Sequence, residues 1–92
     1  MTEITKLAIL LAKANIPFEI TSCNDAPQIC YPQKAPRVCD AVCHKFSYGG
    51  EEGLLEILGL VSEPEIDSVE GWLTAEEVFE RIKTHYETTK AD

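Results

Sequence analysis

Residues 2–14 repeat their apolar positions with helical spacing. Ile4, Leu7, Ala8 and Leu11 fall at i, i+3, i+4 and i+7, and Ile9 and Leu10 widen the apolar face. Thr2 is a suitable N-cap, and Asn15 before Ile16-Pro17 is a stop, because asparagine tolerates the left-handed position and proline cannot continue a helix. The period then changes to two. Phe18-Glu19-Ile20-Thr21 predicts a strand, residues 24–27 a turn, residues 28–31 a second strand ended by Pro32, and residues 38–44 a third. Short loops between neighbouring strands favour an antiparallel meander.

The second half reads as helical. Leu54, Leu55, Leu58 and Val61 make another apolar stripe, with Gly59 placed to end it and Leu60 to fold back on its last turn. Residues 62–71 are acidic and irregular. Thr74 and Glu77 then form a capping box, with Leu73 and Val78 as its hydrophobic staple. Val78, Phe79, Ile82 and Tyr86 are the buried stripe of the last helix. The expected fold is one α+β domain over residues 1–92, ordered α-β-β-β-α-α. A three-stranded antiparallel sheet would be packed by helices.

Charge changes this picture more than composition does. Residues 1–46 hold four acids against five bases, and residues 47–92 hold twelve against three. Ten acids and no Lys or Arg lie between Glu51 and Glu80. Such a field repels phosphate backbones, so direct nucleic-acid binding is not expected. A solvated face is the ordinary explanation of a charge run. The alternative is an acidic surface that meets a basic partner, with Glu63, Glu65, Asp67 and Glu70 around Trp72. Trp72 itself reads as a lid on the core, or, if exposed, as an interface anchor. No apolar run reaches the ~20 residues of a membrane span. The start Met-Thr-Glu lacks a basic leader. The expectation is a cytoplasmic protein with reduced thiols, of undetermined oligomeric state.

The densest run of chemistry-bearing residues is 39–53. His44, Lys45, Ser47, Tyr48, Gly49 and Gly50 are the candidate ligand contacts, since paired glycines let a backbone turn tightly and present N–H groups. A nucleotide or phosphorylated signal would suit such a loop. Glu51 and Glu52 oppose it with their own charge and are simply explained as partners of a helix start. The four cysteines (Cys23, Cys30, Cys39, Cys43) contain no CxxC pair. In a strand, Cys39 and Cys43 lie roughly 13 Å apart, too far to share a zinc ion. They read as small buried residues on one strand face with Ala41, and Cys23 and Cys30 as facing each other across a hairpin. A structural zinc module would need Cys23, Cys30 and Cys39 or Cys43 to converge with His44 or His85. Cys43 and His44, adjacent on a strand, point to opposite faces, so no catalytic pair is expected there. Neither a catalytic residue, a metal site nor a cofactor is assigned, and no enzymatic activity is expected.

Four stretches carry a resemblance: residues 29–32 (Ile-Cys-Tyr-Pro), 39–44 (Cys-Asp-Ala-Val-Cys-His), 47–57 and 71–79. Together they resemble small proteins encoded by phages and prophages of Gram-positive gut bacteria. In size and acidity the chain is also similar to anti-CRISPR proteins. The resemblance implies an accessory phage product made inside the host cell; the acidic run from Glu51 to Glu80, with no catalytic groups evident, adds the expectation that it inhibits or redirects a host protein by binding. It implies no site residue.

Overall fold

Thr2 opens the first helix: its side chain accepts the Thr5 N–H, and α1 runs Glu3–Lys13. Asn15 follows with φ 57, the left-handed stop expected there. The structure, a computed structural model, describes residues 1–61 and 69–90. Strands follow at β1 (Glu19–Cys23), β2 (Ala26–Tyr31) and β3 (Cys39–Val42), then β4 (Leu55–Leu58) and β5 (Val69–Leu73), and α2 (Ala75–Lys90) closes the chain.

Among the described residues the sheet therefore has five antiparallel strands in the order β1-β2-β3-β4-β5, not three, and there are two α-helices, not three. The error lies at residues 54–61. Gly53 and Gly59 both take left-handed φ, 75° and 89°, and leave only five residues between them, too few for a helix of useful length. Within those five, Leu55 and Ile57 are buried while Leu58, a member of the supposed helical stripe, is 50% exposed. The operative period is two. Residues 69–71, expected to be irregular, are part of β5.

β1 and β2 join through Asn24 and Asp25, both left-handed (φ 51° and 62°), the two-residue turn whose twist suits a hairpin. Ala26 and Pro27, expected in that turn, belong to β2; β3 pairs only from Gln28 onward, so Pro27's missing donor costs no bond to β3. In this register Cys23 lies opposite Ala26 and Cys30 opposite Glu19, so the two cysteines do not face each other.

One row of directly paired residues, Ile29, Ala41 and Ile57, crosses the sheet. Leu55 pairs with Leu73 beside it. This face packs on Leu7 and Leu11 of α1 and Val78 and Ile82 of α2 in one buried cluster. Cys39 and Ala41 belong to it as expected, with Cys43 half-buried beside it.

The capping box forms: Thr74 N–H donates to Glu77 Oε1 (3.0 Å) and Glu77 N–H to Thr74 Oγ1 (3.3 Å). A second cap comes from α1. Glu3 Oε1 accepts the Ala75 N–H at 2.8 Å, and Lys6 pairs with Glu3 at 3.0 Å. The Ala75 N–H, then Lys6, hold the Glu3 carboxyl below its usual 4.5. A lowered carboxyl stabilises the fold above its unfolded pKa and loses that contribution as pH falls through the folded value. Wild type should therefore lose more stability than Glu3→Gln between about pH 5 and pH 3, measured by thermal melts at each pH. Parallel pH profiles for the two proteins would remove Glu3 from the acid response.

Candidate binding surface

The turn after β3 is built by Ser47 and two glycines. Ser47 Oγ donates to the His44 carbonyl (2.8 Å) and accepts the His44 N–H (3.0 Å), which buries the hydroxyl. Gly50 N–H donates to the Ser47 carbonyl. A Cβ at Gly50 would lie 1.8 Å from the His44 oxygen, so only glycine fits. Ser47 and Gly50 are thus occupied in making the turn. The helical segment that follows is a single 3₁₀ turn, Gly50–Glu52, too short to present an anion-binding N-terminus.

Tyr48 leaves this turn toward solvent and stacks on Trp72, with ring centroids 5.7 Å apart and planes 15° from parallel. Both residues are 57% exposed, so Trp72 is not a lid on the core. Its position comes from a bulge. Leu55 pairs with Leu73 and Ile57 with Glu70, an advance of two residues on β4 against three on β5. The extra residue falls at Gly71-Trp72, and Trp72 takes φ 56, the left-handed region that costs a bulky residue about 1–3 kcal/mol.

Two hydrogen bonds and two close approaches at glycines hold this conformation. Trp72 N–H donates to the Tyr48 carbonyl at 3.2 Å, and Tyr48 N–H to Glu56 Oε1 at 3.1 Å. A Cβ at Gly71 would meet Tyr48 Cβ at 2.2 Å, and one at Gly49 would meet Trp72 N at 2.8 Å. Two glycines thus bring two backbone segments together so that their aromatic neighbours can stack. The rings border a depression of about 210 Å³ shared with Lys45, Glu51 and Glu52. Phe46, 70% exposed, lies alongside in sequence with the Lys45 ammonium 5.0 Å from its ring centroid.

The turn and Trp72, two separate candidates in the sequence, form one surface. The acids divide differently. Glu70 is no free surface acid: Arg81 grips both its oxygens at 2.8 and 2.9 Å. Glu77 serves the capping box. Glu63, Glu65 and Asp67 lie outside the described residues. Glu51 and Glu52 are exposed beside the rings, and their carboxylates have no hydrogen bond or ion pair among the described residues. Sequence reasoning places them beside the turn, as charge that opposes an anion and as partners of a helix start, and does not name them among the site residues. Phe46 was missed as well; its place between Lys45 and a buried serine gives no periodic signal.

His44 is placed by the network around it. Its Nδ1 accepts the Phe46 N–H at 3.1 Å. Nε2 lies 3.9 Å from Cys23 Sγ and 3.3 Å from the Asn24 amide nitrogen. His85 is held elsewhere, its Nδ1 2.7 Å from Tyr31 OH. Burial pushes the thiols of Cys30 and Cys43 up and that of Cys39 up to about 12, which makes them poor nucleophiles. Among the described residues no group of three or more His, Cys, Asp and Glu is arranged to hold a metal ion, and no helix is long and apolar enough to cross a membrane. The basic residues that a phosphate site would need do not converge. Arg37 is bound to Glu19 and to the Pro32 and Gln33 carbonyls, and Lys45 lies over Phe46.

Compared with known proteins, the chain matches no family model, and no curated protein or solved structure is similar to it.

Proposed function

We propose that this is a binding protein that docks on a basic surface of another protein through the Tyr48–Trp72 stack, without chemistry of its own. The observation that carries this is the exposed stack itself. Two large rings are held in water on a strained bulge, where burial would stabilise them and a glycine would relieve the backbone. Strain kept at an exposed aromatic pair points to a use in recognition, where Trp and Tyr dominate hot spots. Glu51 and Glu52 beside it supply the sign of the partner's charge. The proposed setting is the host cytoplasm, where a phage-type product of this kind would inhibit or redirect a host protein, as an anti-defence factor does.

Capture of a nucleotide or phosphorylated signal by residues 44–50 ranks below this. The depression of about 210 Å³ is smaller than the roughly 300–1,000 Å³ of small-molecule sites. Two carboxylates border it and the single lysine is turned to Phe46.

Association steered by an acidic face weakens with salt, because the Debye length shrinks from about 10 Å at 0.1 M to about 3 Å at 1 M. Immobilised protein should retain one specific host partner at low salt and release it as salt rises. The double variant Glu51→Gln/Glu52→Gln should show a flatter salt response. Retention that ignores both salt and the substitutions would refute the acidic docking surface.

A further inference from the structure

We infer that the Tyr48–Trp72 surface takes an arginine side chain of the partner, its guanidinium lying on the ring stack and paired to Glu51 and Glu52. This rests on the protein-binding reading above and names the group that would be bound. A guanidinium is planar, weakly hydrated and stacks on aromatic faces, while its N–H fork matches carboxylates. A lysine ammonium shares the charge but not the plane or the fork. The surface offers both halves of that match side by side: two unpaired carboxylates and two exposed rings around one depression.

The neighbouring groups leave the site open to an external cation. Lys45, the one base at the depression, has its ammonium over the Phe46 ring. Glu56 is occupied with the Tyr48 N–H, so it fixes the ring and leaves Glu51 and Glu52 to meet the cation. The chain's own arginines are bound elsewhere, Arg37 at Glu19 and Arg81 at Glu70. In a second copy of the chain both arginines are already paired, which favours a different protein as the partner. The depression fits one side chain and is too small for a folded segment.

Trp72 is the only tryptophan, so its emission and its indole N–H resonance report on this surface alone. The full chain is titrated at low salt with capped glycine-X-glycine tripeptides in which X is arginine, lysine or citrulline. Citrulline keeps the shape of arginine without its charge. The arginine peptide should shift the indole resonance saturably and bind at least about threefold tighter than the lysine peptide. The citrulline peptide should have no effect. Glu51→Gln/Glu52→Gln should lose the response while its circular dichroism stays unchanged, and Tyr48→Leu should weaken it. Equal arginine and lysine binding would overturn the arginine assignment and leave the basic-partner reading in place. So would silence from all three peptides up to their solubility limit while salt-sensitive capture of a partner persists. An arginine response that survives loss of both carboxylates would overturn the geometry proposed.

Discussion

Gly71→Ala is expected to cost about 3 kcal/mol of stability, the upper part of the range for overpacking, and to separate Tyr48 from Trp72. The new Cβ would lie 2.2 Å from Tyr48 Cβ, 2.6 Å from its carbonyl oxygen and 2.9 Å from its carbonyl carbon. Two of those three atoms are backbone, so a rotamer change does not relieve the clash. Either the β5 bulge or the 44–50 turn has to move, and the Trp72–Tyr48 hydrogen bond spans the two. Gly53 is the control. It has φ 75, but a Cβ there meets nothing within 4 Å, so Gly53→Ala should cost only the left-handed backbone penalty of about 1–2 kcal/mol. Urea unfolding of both variants, followed by circular dichroism, measures the difference. Equal midpoints would mean that the two backbone segments are not held as tightly as described.

Trp72→Gly is expected to lower partner affinity at least about 30-fold, the effect of losing a hot spot worth some 2 kcal/mol. The fold should barely notice. Glycine relieves a left-handed residue of about 1–3 kcal/mol, and the lost ring pair is worth about 0.5–1.5 kcal/mol, so the net change should lie between a loss of about 0.5 and a gain of about 2.5 kcal/mol, centred on a gain of about 1 kcal/mol. Opposite movement of stability and affinity is the signature of a residue kept for recognition. Affinity close to wild type would place the interface elsewhere. Collapse of the fold would make Trp72 the core lid that the sequence first suggests.

The first helix, the capping box and the first two strands were readable because each is decided locally. Thr2, Asn15, Thr74 and Glu77 act on groups within a few residues. β4 was not readable for a physical reason. Leu54, Leu55, Leu58 and Val61 satisfy the helical period, and Leu55 and Ile57 satisfy the strand period, in the same short run. What decides between them is the pairing of Asp40, Ala41 and Val42 with Leu58, Ile57 and Glu56, a tertiary fact. The error then propagated to β5, since without β4 the Val69–Leu73 segment has no neighbour. The site shows the same division. Its turn residues could be named from Gly49 and Gly50, but the meeting of Tyr48 with Trp72 depends on a bulge that exists only once both late strands are in the sheet.

That sheet order has a consequence for how the chain reaches its fold. Each strand pairs with its neighbour in sequence, so four pairings form by local encounters between short segments. The Glu3–Ala75 cap instead joins residues 72 apart. Relative contact order is thus low within the sheet and high between the helices, and the entropy of closing a long loop is concentrated where α1 meets α2. The proposed docking surface lies within the local part. Tyr48, Glu51, Glu52 and Trp72 are set by β3, β4 and β5, so the surface proposed for recognition belongs to the half of the molecule that topology makes easiest to assemble.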